Sequence, residues 1–416
     1  MPRIRIHGQR PLEGLIPIGG AKNAVLKLMA AALMAPGESI IHNVPHIQDV
    51  FTMIELLENL GVGVEFEAST LRLSVGSDIG QEAPHDLVRK MRASIQVMGP
   101  LLGRLGRVRV SLPGGCAIGE RPIDFHLKGF TQLGARIREE HGYICAEADR
   151  LKGVDIQLDY PSVGATENLM MAATLATGTT QIRNAAREPE IIEVQNFLNQ
   201  MGAQIRGAGT DVIRIDGVKS LSPAEHTIIP DRIEVGTYLV AVAMAGGNAT
   251  IRPAIPQHVA SLIAKLNETG VRVLVGEDKI SVHSAGRYRA VNFQSLPYPG
   301  FPTDLLPQVM AMMTIAEGTS VIRETVYTNR YKHVGELRRM GANIMIADRT
   351  AVIQGVSHLT GAEVVVPDLR AGAALVLAAL AAEGTTIVED EGHLGRGYDN
   401  LIGKLQGLGA DIRLVD

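Results

Sequence analysis

Three cations lie where the sequence predicts the starts of apolar helices, and this placement is chemically unusual. Lys22, Arg92 and Arg370 each precede a run rich in Ala, Leu and Met. The N-terminus of a helix carries partial positive charge and free backbone N–H groups, so a cation there is unfavourable unless an anion binds beside it. Three such cations in equivalent positions predict an anionic, phosphate-like ligand. The alternative is that they are surface charges without a ligand.

Polar residues begin other helices of the same set. Ser162, Thr166, Asp231 and Asp368 are of the types preferred at N-caps, where a side-chain oxygen accepts hydrogen bonds from backbone N–H groups. We therefore predict that these four residues cap helices. Asp304 also stands at a predicted helix start, after Phe-Pro-Thr, where a purely electrostatic role at the N-terminus is the simplest alternative to chemistry.

A glycine-rich segment over residues 112–124 carries one of the two cysteines, Cys116. Such a segment is typical of a loop that closes over a site. Arg121 follows five residues later, and a thiol close to a cation ionises readily and becomes reactive. We predict that Cys116 is reactive rather than an inert small hydrophobe. Cys145 lies in a strand-like pattern and is predicted to be inert.

The elements that position these residues repeat six times. A Leu-Gly or Met-Gly pair recurs about every 70 residues, each time before a strand-like run. A second Gly precedes each pair, ending an apolar helical run and opening a β-branched one. The first set is Gly61, Gly134, Gly202, Gly270, Gly341 and Gly409, and the second is Gly37, Gly106, Gly178, Gly247, Gly318 and Gly384. A period of this length predicts a compact α/β module rather than a thin solenoid.

Six modules in a chain of 416 residues divide naturally into two domains of three. A strand-like segment over residues 4–18 precedes the first repeat helix, and the third module ends near Pro230. We expect one lobe over residues 22–230, and a second lobe over residues 1–21 plus 231–416. The chain would then cross twice between lobes, which predicts hinge-like closure around a ligand cleft.

Composition excludes several classes of function. A net charge of −4 gives no general attraction to nucleic acid or an anionic membrane. The apolar runs are too short to span a bilayer, and the N-terminus leads directly into a strand pattern, so we expect no signal peptide. Two cysteines are too few for a disulfide framework. We therefore expect a cytoplasmic protein that binds neither nucleic acid nor a membrane, and the composition indicates no protein partner.

Nine motifs, spread in order along the chain, resemble those of the UDP-N-acetylglucosamine 1-carboxyvinyltransferase family. They are Gly-Ala-Lys-Asn-Ala (20–24), Met-Arg-Ala-Ser (91–94), Pro-Gly-Gly-Cys-Ala-Ile-Gly-Glu-Arg-Pro-Ile-Asp (113–124), Ser-Val-Gly-Ala-Thr (162–166), Asn-Ala-Ala-Arg-Glu-Pro-Glu (184–190), Pro-Asp-Arg-Ile-Glu (230–234), Phe-Pro-Thr-Asp (301–304), Asp-Leu-Arg-Ala-Gly (368–372) and Arg-Gly-Tyr (396–398). The resemblance implies an α/β fold, a two-lobed inside-out α/β barrel of six repeats in which the helices are buried and the sheets lie outside. The first lobe would carry the Cys116 loop, and the second Asp304, Arg370 and Arg396.

The same resemblance implies a reaction. The enolpyruvyl group of phosphoenolpyruvate would be transferred to the 3′-hydroxyl of UDP-N-acetylglucosamine with release of phosphate, which is the first committed step of peptidoglycan synthesis. Cys116 would be the acid, would form a pyruvate adduct and would be the thiol that fosfomycin alkylates, and Asp304 would be the base. Lys22 and Arg396 would complete the catalytic set. No metal or cofactor is implied.

The resemblance also implies two sets of substrate-binding residues. Phosphoenolpyruvate would be held by Lys22, Arg121 and Arg396, with Arg370 nearby. UDP-N-acetylglucosamine would be held by Asn23, Arg92, Arg121, Pro122, Ile123, Asp124, Phe125, Tyr160, Ser162, Val163, Gly164, Asp304 and Val326. Tyr160 stands where some family members carry Lys.

Three alternatives remain at this point. The sister enolpyruvyl transferase that acts on shikimate 3-phosphate shares the fold, but it lacks the Pro-Gly-Gly-Cys loop. An RNA-end-processing enzyme of related repeat design is disfavoured because the chain has no basic stripe. A catalytically silent regulatory paralogue is disfavoured because Cys116, Asp304, Arg121 and Arg396 are present together.

Overall fold

A computed structural model describes residues 3–112 and 123–415 of the chain, so Cys116, Arg121 and Pro122 lie outside the described residues. Within these ranges the strands are β1 Arg3–His7, β2 Leu12–Pro17, β3 Gly37–His42, β4 Gly63–Glu67, β5 Thr70–Val75, β6 Glu82–Ala83, β7 Arg107–Ser111, β8 Arg136–Glu140, β9 Tyr143–Glu147, β10 Asp155–Gln157, β11 Thr179–Arg183, β12 Gln204–Arg206, β13 Val212–Asp216, β14 Glu225–Thr227, β15 Gly247–Arg252, β16 Arg272–Val275, β17 Ile280–Ser284, β18 Phe293–Gln294, β19 Thr319–Arg323, β20 Asn343–Ala347, β21 Thr350–Gln354, β22 Glu363–Val365, β23 Thr385–Glu389 and β24 Asp411–Val415.

The helices lie between these strands. They are α1 Lys22–Ala32, α2 Gln48–Asn59, α3 His85–Lys90, α4 Met98–Leu105, α5 Asp124–Gln132, α6 Val163–Thr174, α7 Pro189–Gln200, α8 Arg232–Ala245, α9 Ala260–Thr269, α10 Leu306–Met313, α11 Val334–Arg339, α12 Leu369–Ala381 and α13 Leu401–Gly407, with short 3₁₀ helices η1 Arg92–Val97, η2 Pro256–Val259, η3 Thr303–Leu305 and η4 Leu394–Arg396. In the part of the chain described, no helix has the length and apolar character needed to cross a membrane.

The strands form six four-stranded sheets with one shared topology, which confirms the predicted repeat. The sheet orders are β14-β3-β5-β4, β6-β7-β9-β8, β10-β11-β13-β12, β2-β15-β17-β16, β18-β19-β21-β20 and β22-β23-β1-β24. In each sheet the first two strands pair in parallel and the other neighbours pair antiparallel. Where consecutive strands pair in parallel, a crossover helix joins them, as α6 joins β10 to β11, whereas consecutive antiparallel strands such as β4 and β5 are joined by a short turn.

Three sheets are completed by strands from distant parts of the chain. The segment predicted as one strand over residues 4–18 forms two strands, because the chain turns between them where Gln9 adopts a left-handed conformation (φ 60°). The first strand, β1, lies between β23 and β24, and β2 pairs with β15. In the same way β14 pairs with β3.

The chain forms two compact units, each with its own apolar core. One unit contains the described residues up to Gly19 and from Pro230 onward, and the other contains those between Gly20 and Ile229. In each unit the central helices are buried on all sides, and α8 buries every residue except Ala245. Helices without a polar face cannot lie at the surface, so they form the core while the strands alternate buried and exposed residues around them.

The twelve landmark glycines all have positive φ, between 72° at Gly106 and 116° at Gly247. Residues with a Cβ atom rarely adopt this conformation, which explains why Gly recurs at each junction between a helical turn and the following strand.

Candidate functional site

The carboxylate of Asp304 lies between two buried guanidinium groups. Arg370 donates from Nε at 3.3 Å and from Nη2 at 3.2 Å to Asp304 Oδ2, and Arg330 donates to Oδ1. The side chains of Arg330 and Arg370 are 2% and 5% exposed, whereas that of Asp304 is 26% exposed. The arrangement therefore fixes the orientation of a carboxylate that still reaches the surface.

Glu324 holds the backbone around this carboxylate. Its buried side chain accepts hydrogen bonds from the hydroxyl of Thr303 at 2.7 Å and from the backbone N–H groups of Val326 at 2.6 Å and Tyr327 at 3.0 Å. One carboxylate thus holds the predicted ligand contact Val326 and Thr303, the residue directly before the predicted base Asp304.

Arg370 lies in the first turn of α12, where Asp368 is the N-cap. Asp368 Oδ1 accepts from the backbone N–H groups of Arg370 and Ala371, both at 3.0 Å. The guanidinium carbon lies 5.3 Å from the centroid of the Tyr398 ring. Burial alone would lower the pKa of Arg370, but the neighbouring Tyr398, Asp304 and Asp231 raise it above its ordinary value. Among the described residues, the buried Nη1 group of Arg370 has no hydrogen-bond partner, so one donor of this guanidinium is left unsatisfied.

Arg396 lies in the same unit, at the end of η4. Asp390 holds the start of this turn, because its carboxylate accepts from His393 N at 2.7 Å and from Leu394 N at 3.1 Å. Leu394 in turn lies so close to Gly372 of α12 that a Cβ atom there would come within 3.1 Å of its side chain. The half-buried Arg396 is therefore anchored to the first turn of the helix that carries Arg370.

Lys22 begins α1 in the other unit and has a carboxylate partner within the chain. Its Nζ atom lies 2.8 Å from Oδ2 of the buried Asp49, which stands in the first turn of α2. Asn23 follows Lys22 on the same turn and is only partly buried. The charge conflict at this helix start is thus partly relieved by Asp49, a residue that the sequence analysis missed.

Three further segments of this unit are held together at their starts by buried amide and imidazole groups. Gln96 of η1, which begins at Arg92, donates to the carbonyl of Gly164 at 3.1 Å. His126, in the first turn of α5, lies 3.0 Å from the amide of Asn168 in α6. Burial, reinforced by the charge of Arg92, lowers the pKa of His126 to about 4.

These contacts bring together predicted ligand residues that are far apart in sequence. Arg92 stands on η1, Ile123, Asp124 and Phe125 enter α5, and Ser162, Val163 and Gly164 enter α6. Tyr160 precedes α6 and is 37% exposed. The predictions for Cys116, Arg121 and Pro122 lie outside the described residues, whereas Cys145 is a half-buried thiol on β9.

The capping predictions are confirmed for three residues and wrong for the fourth. Ser162, Asp231 and Asp368 each accept a hydrogen bond from backbone N–H groups at the start of α6, α8 and α12. Thr166 lies within α6, and its buried hydroxyl accepts from Ala186 N at 3.1 Å. Its type was typical of a cap, but Ser162 already occupies that position one turn earlier.

Comparison with known proteins identifies the family. The chain is 57% identical over 403 residues to UDP-N-acetylglucosamine 1-carboxyvinyltransferase 1 of Caldanaerobacter subterraneus subsp. tengcongensis, with 97% of each chain covered. It is 55% identical to the protein of the same name from Symbiobacterium thermophilum, over 99% of this chain and 95% of that one. The chain belongs to the UDP-N-acetylglucosamine 1-carboxyvinyltransferase family. It is therefore a transferase.

Wider comparisons agree with this family and confirm the predicted fold. The model of the EPSP synthase (3-phosphoshikimate 1-carboxyvinyltransferase) family matches residues 6–405. The enolpyruvyl transferase NikO from Streptomyces tendae is 29% identical and superposes with a TM-score of 0.90, with 100% of this chain and 99% of that chain covered. EPSP synthase from Acinetobacter baumannii, at 16% identity and a TM-score of 0.75 with both chains covered in full, shares the fold.

Proposed function

We propose that this carboxyvinyltransferase moves the enolpyruvyl group of phosphoenolpyruvate to the 3′-hydroxyl of UDP-N-acetylglucosamine and releases phosphate. The observation that carries the proposal is the 57% identity, over 97% of both chains, to an enzyme of that name. This step would begin peptidoglycan synthesis, and through it the enzyme would affect cell shape and cell division. The reaction would take place in the cytoplasm.

The reaction requires that charge be balanced and that protons be moved from the sugar hydroxyl, onto C3 and off C3 again. The sugar hydroxyl adds to C2 of phosphoenolpyruvate while C3 gains a proton, which gives a tetrahedral adduct that still carries phosphate. Loss of phosphate and of one C3 proton then forms the enolpyruvyl ether. Cations that face the phosphate and carboxylate stabilise the charge that develops on them, and a positioned base and acid move the protons.

Asp304 is the proposed base, and its setting supports that role. A base must be oriented at the hydroxyl that it deprotonates. The two guanidinium groups of Arg330 and Arg370 orient this partly exposed carboxylate, and both are almost fully buried. Cys116 is the proposed acid at C3, on the grounds of the family motif alone.

The proposed anion-binding cations are Lys22, Arg121, Arg370 and Arg396. Arg370 has the strongest structural support, because its buried Nη1 donor has no partner among the described residues. A phosphate or carboxylate oxygen would satisfy that donor. The proposed nucleotide-sugar contacts are Asn23, Arg92, Arg121, Pro122, Ile123, Asp124, Phe125, Tyr160, Ser162, Val163, Gly164, Asp304 and Val326.

A phosphate-release assay tests the proposal. The purified chain should release phosphate from phosphoenolpyruvate with UDP-N-acetylglucosamine as acceptor, and it should release none with shikimate 3-phosphate. Mass spectrometry should find the enolpyruvyl ether of the nucleotide sugar. Turnover with shikimate 3-phosphate alone would reassign the enzyme to the activity that names the matching family model. Absence of turnover with both acceptors would favour the silent paralogue.

A further inference from the structure

A buried ion pair joins helices α1 and α6 one turn inside their proposed ligand-binding starts. Lys27 Nζ lies 3.4 Å from Glu167 Oε2, and the side chains are 10% and 0% exposed. Apart from Lys27, no residue in the described ranges donates a hydrogen bond to the carboxylate of Glu167. A buried ion pair often contributes little net stability, because the cost of desolvating both charges offsets their attraction. This pair therefore calls for an explanation other than stability.

Lys27 folds back toward the start of its own helix. Its ammonium group donates to the carbonyl oxygen of Asn23 at 2.6 Å, so the charge lies beside the first turn of α1. A cation at this end opposes the helix dipole unless a carboxylate lies close to it. Glu167 supplies that carboxylate from α6, and the ion pair thereby links the turn that carries Asn23 to the helix that begins after Ser162.

The electrostatic surroundings of Glu167 make this link sensitive to pH. Besides Lys27, the groups that act on it are Glu190 and Glu188 at the start of α7. Burial raises the pKa of Glu167 to about 7, Glu190 and Glu188 act in the same direction, and Lys27 opposes them. Glu167 is therefore ionised above this pH and neutral below it.

We propose that Lys27 and Glu167 are positioning residues that align the first turns of α1 and α6 for UDP-N-acetylglucosamine. This inference rests on the proposed function, because it assigns a purpose to the pair only if Asn23 and the Ser162–Gly164 turn bind that substrate. The ionised pair holds both turns in the binding arrangement. Protonation of Glu167 releases Lys27, so the two turns lose their alignment and substrate binding weakens.

Steady-state kinetics of Glu167→Gln, Lys27→Met and the double variant test the proposal. Each single variant should raise KM for UDP-N-acetylglucosamine by roughly 3- to 100-fold, the range of coupling between neighbouring residues, with a smaller change in kcat. The double variant should resemble the singles, because either change already breaks the pair. In the parent protein this KM should fall as pH rises through about 7. In the Glu167→Gln variant, KM for UDP-N-acetylglucosamine should not change with pH in this range.

A matched control is Glu193→Gln in the same unit. Glu193 lies on α7 as a buried carboxylate paired with His226 at 2.9 Å, and it is remote in sequence from the proposed ligand residues. This variant should change the melting temperature and leave KM and its pH profile unaltered.

Two results would overturn the inference while leaving the proposed function intact. One is an active parent enzyme whose KM and pH profile are unchanged in Glu167→Gln. The other is an equal rise of KM in Glu193→Gln. That result would show that the Lys27–Glu167 pair affects KM only through the overall stability of the protein. A parent protein without turnover would instead refute the proposed function itself.

Discussion

Replacing Asp304 by Asn separates proton transfer from electrostatic support. Asn keeps the size of the side chain and one acceptor oxygen, but it lacks the charge that faces Arg330 and Arg370. Breaking one side of a buried ion pair costs about 3–5 kcal/mol. Because 26% of the Asp304 side chain is exposed, water compensates part of that loss, and we expect a decrease of about 2–3 kcal/mol in the free energy of unfolding.

The expected kinetic effect of Asp304→Asn is larger than its effect on stability. If the carboxylate accepts the proton of the sugar hydroxyl, kcat should fall by roughly 10²–10⁴-fold, the usual contribution of a positioned base. Affinity for UDP-N-acetylglucosamine should fall much less than kcat, because an Asn oxygen can still accept the hydroxyl hydrogen bond. Turnover, ligand affinity by calorimetry and the urea unfolding midpoint measure the three quantities on one preparation.

Arg330→Met is the matched control, because it removes one of the two ion pairs of Asp304 and keeps the carboxylate. It should destabilise the protein by a comparable amount and reduce kcat far less than Asp304→Asn. A near-normal kcat in Asp304→Asn would refute the assignment of the base. Equal losses of kcat in the two variants would show that the ion pair, and not proton transfer, is what turnover requires.

Three further predictions concern reactivity, pH and the buried polar groups. Fosfomycin or iodoacetamide should label Cys116 before Cys145, and peptide mapping that found Cys145 labelled first would contradict the loop assignment. Burial raises the pKa of Glu234 from 4.5 to about 7, so the folded state binds this proton more tightly than the unfolded state. Stability should therefore fall by up to about 3 kcal/mol as pH rises from about 4.5 to about 7, and Glu234→Gln should remove that slope in urea titrations. Tyr398→Phe should lower the unfolding free energy by about 1–3 kcal/mol, because it removes a buried acceptor 3.2 Å from the amide of Gln308; an unchanged urea midpoint would rule this contribution out.

The local features of the fold could be predicted from sequence, because each is decided by a few adjacent residues. The landmark glycines stand where the chain adopts a positive φ that residues with a Cβ atom rarely take, and their spacing predicted the six repeats. Ser162, Asp231 and Asp368 were predicted as caps because a cap depends on its own side chain and the next turn. Thr166 shows the limit of this reasoning, since its neighbour in space is Ala186.

The partners of the charged residues could not be predicted, because they lie far away along the chain. Lys22 was expected to need an anion, but nothing near it in sequence pointed to Asp49 on the next helix. Arg330 stands in an unremarkable turn, and its pairing with Asp304 depends on tertiary packing. The Lys27–Glu167 pair was hidden for the same reason, because both residues occur within runs that read only as apolar helix.

Strands β1, β2 and β14 each complete a sheet whose other strands lie far away along the chain. Their positions set the order in which the sheets can assemble during synthesis. Every strand of the unit between Gly20 and Ile229 has been made once residue 229 leaves the ribosome. By contrast, β1 precedes every other described strand along the chain, yet its two neighbours, β23 and β24, follow all the others. At roughly 10 residues per second this strand waits on the order of half a minute with both edges unpaired, the state in which strands aggregate. A chain halted after residue 229 should already protect one unit from protease, while its first nineteen residues remain a substrate for chaperones.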